Sequence, residues 1–440
     1  MNEGKIIFIV LDGLGDLAYD FFDNKTPLEY ANTPNLDYLA KKGSCGMLDV
    51  LRPGLPPGSD SAHLSLFGYD YLTEYPGRGP FEAIGYGYKL QEGNIAFRTN
   101  FASVRRSGNQ LIIVDRRAGR ISGELAKELG ESITNEITEI DGVSIQYTHT
   151  IEHRGFLVLS GDGLSHEVTD TDPHESGAPV LKSVPWANAK NHNAALKTAT
   201  VVNKFVKATY ELLEKHPINK QLVSEGKLPA NIILPRGAGI KTKLEPFEIR
   251  WGLKPAAIAA GPLYRGVALE LGFELIEVPN ITGLPNTNLD GKFEYAARNI
   301  DKYDFIFVHV KATDYYSHKK DAKGKASFIE KIDKALEPII ESYEQGVTIL
   351  VTGDHTTPCK YGNHSGHPVP ILIAGPNTRQ DSVELFGERY CTNGALHRLR
   401  GHHLMPLLLT YTGRVLEYGL RSSPYERIFI PKKEWTPLEL

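Results

Sequence analysis

The segment Lys5-Ile-Ile-Phe-Ile-Val-Leu-Asp-Gly13 decides the fold. An unbroken apolar run rich in β-branched residues ends in an acid and a glycine. Such a run suits a strand buried on both faces of a parallel sheet. In open α/β sheets ligands collect beyond the carboxyl ends of the strands, so Asp12 is a first candidate for chemistry.

Working outward, Thr33-Pro34 starts a helical pattern with Leu36, Leu39 and Ala40 on one face, ending near Lys42-Gly43. A rigid Pro/Gly loop over 52–58 then delivers Ser59 to the start of a short helix. Further strands are expected over 256–260, 305–310, 347–353 and 369–375, with helices over 264–271, 325–343 and 404–412. Between about Gly77 and Ile240 the texture changes to turns and short strands, such as 111–115 and 155–161, with an amphipathic helix over 201–213. The expected architecture is α/β: a largely parallel sheet covered by helices on both faces, built from 1–77 and 240–440. An α+β domain, 78–239, is inserted between the halves. There is no internal repeat or low-complexity run.

A chain of 440 residues has room for two or three domains. A hydrophobic fraction of 41% and a charged fraction of 23% are ordinary for a globular chain. The net charge of -4 gives no basic footprint for a nucleic-acid partner. The three cysteines, Cys45, Cys359 and Cys391, lie far apart, which excludes a C-x-x-C zinc motif and suits a reducing compartment. The apolar run at 6–11 is too short for a signal peptide or a membrane span. A cytoplasmic location without a membrane partner is expected. No coiled-coil or interface pattern speaks to oligomeric state.

Metal-ligand side chains stand at both ends of the chain and not in the middle. Asp12 closes the first strand. The strand 305–310 leads into Lys311-Ala-Thr-Asp314, and 347–353 leads into Asp354-His355. Asp314 and His318 are four apart, which puts carboxylate and imidazole on one helical face. His364 stands shortly before Pro368-Val-Pro370. Strand ends on one sheet edge converge, so these groups can build one two-metal site for phosphoryl transfer. Mixed Asp and His ligands suit zinc or manganese better than calcium. Ser59 or Ser61, at a helix N-terminus that favours anions, is the candidate nucleophile. Each piece alone also reads as a cap, a surface pair or a loop residue; their order behind buried strands carries the argument.

The middle of the chain offers Arg116, Arg117 and Arg120, with Arg154, His174 and Arg236, as candidates for an anionic substrate, since guanidinium forks match carboxylate and phosphate. Asp170-Thr-Asp172 lacks the spaced ligands of an EF-hand, and no Gly-Lys-Ser/Thr follows Gly237-Ala-Gly239, so neither calcium loop nor P-loop is expected.

The motifs Val10-Leu-Asp-Gly-Leu-Gly-Asp16, Pro57-Gly-Ser-Asp-Ser-Ala-His63, Asp115-Arg-Arg-Ala-Gly-Arg120, His309-Val-Lys-Ala-Thr-Asp314 and Thr352-Gly-Asp-His355 resemble those of the cofactor-independent phosphoglycerate mutases of archaeal type. That family belongs to the alkaline phosphatase superfamily, and the resemblance runs over nearly the whole chain. It implies transfer of phosphate between 2- and 3-phosphoglycerate through a phosphoserine, with two divalent ions (manganese, zinc, cobalt or magnesium) and no 2,3-bisphosphoglycerate. By the family's Ser-x-x-x-His spacing it implies Ser59, four before His63, as nucleophile. It implies Asp12, Ser59, Asp354 and His355 as ligands of one metal, and Asp314, His318 and His364 as ligands of the other. His364 is chosen over His367 by its spacing to Pro-Val-Pro.

The bacterial form uses a lysine that is missing from the matching stretch here, Gly261-Pro-Leu-Tyr-Arg265, so Lys311 or Arg265 is expected to contact phosphate. His63 is a further expected substrate contact. Closure of the two domains would keep water out and prevent hydrolysis. The competing readings are a phosphomonoester hydrolase, a phosphopentomutase, or a non-catalytic metal- or phosphate-binding protein. A phosphonopyruvate decarboxylase finds no support in a phosphoserine-type site.

Overall fold

Ile6–Leu11 is a strand, β1, with every residue buried. Its two faces meet different layers. Ile7, Ile9 and Leu11 join a core with Leu36, Phe293 and Ile329, while Phe8 packs edge-on against Phe67, Phe305 and Phe307. The continuous apolar run in the sequence is the signature of this double cover.

The computed structural model describes residues 4–417, 419 and 437–439. The chain divides into two units, one running to Tyr75 and resuming at Leu244, the other spanning Pro76–Lys243. In the first, β1 is followed by β2 (Ser44–Asp49). The second holds β3 (Ile95–Ser107), β4 (Gln110–Asp115), β5 (Glu139–Ile140), β6 (Val143–His149), β7 (Arg154–Ser160) and β8 (Ile232–Ile240). The first unit then adds β9 (Pro255–Ile258), β10 (Glu274–Leu275), β11 (Phe305–Val310), β12 (Thr348–Thr352), β13 (Val369–Ala374) and β14 (His397–Arg400).

The first unit's eight strands run in the order β10-β9-β11-β1-β12-β13-β2-β14. All pairs are parallel except β12–β13 and β13–β2, so β13 alone is reversed. The expected largely parallel sheet is present. Register places Leu11 opposite Val310 and Val10 opposite Thr352. The residues that follow β1, β11 and β12 therefore emerge side by side at one sheet edge.

The second unit is an antiparallel sheet, β4-β3-β7-β6-β5, with β8 also paired to β3. Helices Gly123–Glu136 and His192–Leu213 contribute Leu129, Ile133, Val202 and Phe205 to its core.

Two local expectations need correction. The helix expected over 325–343 is two helices, Ala322–Ala335 and Glu337–Glu344. Pro338 lacks an amide hydrogen and crowds the preceding turn, so one helix cannot run through it. The helix expected to begin at Val201 begins at His192, where the Asn191 side chain accepts from the Ala194 amide. Ser59 is the first helical residue, as expected, and Gly58 caps the helix. Among the described residues no helix is long and apolar enough to cross a membrane.

Candidate metal centre

At the carboxyl edge of the first unit's sheet, Asp12 follows β1, Asp354 and His355 follow β12, and Ser59 opens the helix Ser59–Leu66. His355 Nε2 is 3.4 Å from Asp12 Oδ1, 3.4 Å from Asp354 Oδ2 and 3.4 Å from Ser59 Oγ. Asp12, Asp354 and His355 offer ligand atoms that all lie within 4.8 Å of one another. Asp12 Oδ1 and Asp354 Oδ2 are buried without a hydrogen-bond partner. Buried carboxylate oxygens are costly to leave unpaired, and a divalent cation would satisfy both.

A second group adjoins the first. Asp314 and His318 stand on the helix Ala312–His318, which follows β11. His318 Nε2 is 3.3 Å from Asp314 Oδ2, and His364 Nε2 is 3.8 Å from Asp314 Oδ1. Asp314, His355 and His364 again lie within 4.8 Å by their ligand atoms; His318 approaches this trio through Asp314 and through the His364 ring, 5.4 Å between centroids. The His355 and His364 rings stack at 3.6 Å, so the two groups form one centre.

The surrounding hydrogen bonds aim these ligands. His318 Nδ1 lies 2.8 Å from the Gly362 carbonyl, and His364 Nδ1 lies 2.8 Å from the Pro57 carbonyl. A carbonyl only accepts, so each Nδ1 carries a proton and each Nε2 faces inward toward Asp314. The Thr357 hydroxyl donates to Asp314 Oδ1 and therefore accepts from His355 Nδ1 at 2.8 Å, which leaves His355 the same tautomer. The Gly13 amide holds Asp354 Oδ1 at 3.0 Å. Thr313 donates to the Asp12 carbonyl. Such supports fix ligand orientation and basicity.

Charge is concentrated here. Burial and the neighbouring Asp12 carboxylate push the Asp354 carboxyl well above the usual range. Burial also opposes charge on Asp12 and Asp314, but the Lys311 ammonium together with the neighbouring histidines, His309 and His355 at Asp12 and His318 and His355 at Asp314, holds both below that range. Lys311 Nζ lies 3.0 Å from Asp12 Oδ2 and 2.6 Å from Asp314 Oδ2. Burial and His364 keep the His355 imidazole neutral. Buried carboxylates beside inward-facing imidazole nitrogens form a donor set suited to divalent transition metals.

The second unit gathers guanidinium groups. Arg116 forks onto Asp172 at 2.8 and 2.6 Å. Arg236 Nη1 is 3.5 Å from His174 Nε2 and its Nε is 3.9 Å from Asp172 Oδ2. Arg98 and Arg78 each approach Glu82 at 3.3 Å. Burial, then repulsion from Arg78, lowers the Arg98 guanidinium well below its usual range and Arg236 to about 10. Burial, with Arg154, Arg117, Arg98 and Arg236 close by, holds His153 at about 3. The Nε atoms of Arg98 and Arg236 are buried without a hydrogen-bond partner. Crowded cations with idle donors are suited to receive an anion.

A family model described as "2,3-bisphosphoglycerate-independent phosphoglycerate mutase" matches residues 40–219. A relative of that name from Ignicoccus hospitalis is 44% identical over 420 residues, covering 95% of this chain and 100% of the relative. One from Methanocaldococcus jannaschii is 43% identical with the same coverage. The chain belongs to the 2,3-bisphosphoglycerate-independent phosphoglycerate mutase family. A solved structure described as a cofactor-independent phosphoglycerate mutase from Thermoplasma acidophilum is 35% identical, with a TM-score of 0.65 over 93% of this chain and 100% of that one. A Pyrococcus horikoshii protein is 36% identical, with a TM-score of 0.81 over 96% of this chain and 100% of that one.

For a mutase of this family, three expected contacts sit elsewhere. Arg265 forks onto Glu277 at 3.1 and 2.7 Å, whereas Lys311 touches the carboxylates of both ligand groups. His63 is fully buried among Phe67, Tyr264, Phe307 and His309, with Nδ1 on the Ser59 carbonyl, so it forms a wall behind Ser59. Arg120 is exposed at the end of the turn Ala118–Arg120, and among the described residues no ion pair or hydrogen bond joins it to the arginine cluster. Sequence reading missed Thr357, Tyr264 and His309 in the first unit and Arg78, Arg98 and Glu82 in the second. A histidine interrupting the apolar strand Phe305–Val310 was the one visible signal among them.

Proposed function

We propose that the chain interconverts 2- and 3-phosphoglycerate without 2,3-bisphosphoglycerate, through a phosphoserine at Ser59. The reading rests on the three 3.4 Å approaches of Asp12, Asp354 and Ser59 to His355, together with full-length relatives bearing that name. Asp12, Ser59, Asp354 and His355 would hold one divalent ion, and Asp314, His318 and His364 the other. Manganese, zinc, cobalt and magnesium are the candidates, and availability decides among them as much as affinity. When bound, the ions supply charge that favours the Ser59 alkoxide and neutralises the phosphoryl oxygens.

Ser59 Oγ forms the new bond to phosphorus as the bond to the glycerate oxygen breaks. The serine hydroxyl and phosphate ester become phosphoserine and glycerate alcohol; the return step runs the same balance to the other hydroxyl. Lys311 carries its positive charge to the phosphoryl oxygens. In the second unit, which we propose as the substrate domain, Arg116, Arg117, Arg154, Arg236 and His174 would hold the glycerate carboxylate, with Arg98 behind them. Cys45, Cys359 and Cys391 are all free thiols, which favours a reducing, cytoplasmic setting.

The test is conversion of 3-phosphoglycerate, read through a coupled enolase reaction. Activity should survive without 2,3-bisphosphoglycerate and vanish with chelator. Activity that needs 2,3-bisphosphoglycerate and ignores chelator contradicts the proposal, and free phosphate released faster than isomer forms would make the chain a hydrolase.

A further inference from the structure

Asp12 is bonded very unevenly. Oδ2 receives the Tyr264 hydroxyl, His309 Nε2 at 3.1 Å and Lys311 Nζ at 3.0 Å. Oδ1 has no hydrogen-bond partner and faces His355 Nε2. Lys311 is shared with Asp314, whereas among the described residues the Tyr264 hydroxyl and His309 Nε2 bond to Asp12 and not to Asp314.

Tyr264 and His309 are held for this task. Tyr264 stands in the first turn of the helix Pro262–Glu270. Its ring stacks on the His309 imidazole at 3.6 Å and 25°. The Lys292 ammonium donates to the His309 carbonyl. A Cβ at Gly261 would meet the Tyr264 ring at 2.9 Å, so the helix start leaves room for this stack only without a side chain there. His309 lies on the same strand face as Phe307, among His63, Tyr264 and Phe307, where bulk solvent cannot substitute for a lost donor.

We propose that Tyr264 and His309 are positioning residues that occupy Asp12 Oδ2, make Asp12 a one-oxygen ligand through Oδ1, and thereby set the affinity of the Asp12–Asp354–His355 ion separately from that of the Asp314 ion. This rests on the metal-centre reading above. Neither residue touches a reacting atom. Losing either lets the carboxylate rotate and share its oxygens between donors and metal, which weakens one ion. Asp314 takes its support from Thr357 and Lys311 instead, so the other ion is spared.

The experiment is calorimetric titration of metal-stripped full-length chain with manganese. Wild type should take up two ions. Tyr264→Phe should weaken one by roughly 10- to 100-fold and leave the other within about twofold, the range seen when a ligand's orienting partner is removed. In an Asp314→Ala background, which leaves the Asp12, Asp354 and His355 group intact, one ion should remain and Tyr264→Phe should weaken it. His309→Leu, removing the other donor, should weaken the same ion and serves if Tyr264→Phe does not fold. Two ions in wild type with both affinities unchanged in the variants overturn the assignment alone. Equal weakening of both ions overturns it as well, since a general loss of packing would do that. A wild-type chain that takes up no ion overturns the metal-centre reading and this assignment with it.

Discussion

The Lys311 ammonium lies 2.6 Å from Asp314 Oδ2 and 3.0 Å from Asp12 Oδ2. One cation thus touches a carboxylate from each ligand group, where a phosphoryl group in transfer would need positive charge. Lys311→Met should lower kcat by roughly 10²- to 10³-fold, the usual cost of one charge-stabilising donor. Two ions should still be taken up, at altered affinity, because no ligand is lost while Asp12 and Asp314 each lose a donor. Steady-state kinetics beside a metal titration checks both halves.

Ser59→Ala should lower turnover by roughly four orders of magnitude or more, as removal of a nucleophile does. The fold should hold. Gly58, not Ser59, caps the helix, and no side-chain cap bond is lost. Circular dichroism melts should coincide with wild type while the coupled assay falls to background.

Gly13 sits at φ 63°, and a Cβ there would lie 2.8 Å from Asp314 Oδ1. Gly13→Ala should cost about 1–2 kcal/mol for the left-handed backbone alone. It should also push Asp314 aside, so manganese affinity should fall with stability. Denaturant unfolding and metal titration of the same sample measure the two losses.

Much of this was legible in the sequence because it is local. The run 6–11 declares a doubly covered strand, and the acids and imidazoles after three such strands mark one sheet edge. What stayed hidden depends on packing. β2, with Ser44, Cys45 and Gly46, lacks β-branched residues and becomes a strand only between β13 and β14. The first turns of the helix from His192 carry Asn, Thr and Lys, so the apolar period emerges only near Val201. Arg98 and Glu82 read as surface charges until folding buries them together. Tyr264 gains meaning only because its helix sets it against Asp12, distant in the chain.

Stability should also report on Lys292. Burial lowers its ammonium from 10.5 to about 7. Between those values the unfolded chain holds a proton that the folded chain has released, so stability rises with pH across that window. The contribution is about 1.4 kcal/mol per pH unit at its steepest. Urea unfolding of wild type between pH 7 and 9.5 should show this rise relative to Lys292→Met. Parallel profiles for the two would contradict it.

The most direct measurement is acid quenching of the metal-loaded chain during turnover of 3-phosphoglycerate, followed by peptide mass analysis. The account predicts phosphate on the peptide carrying Ser59, present with metal and lost with chelator or in Ser59→Ala. Isomerisation continuing at full rate while Ser59 never carries phosphate would contradict it.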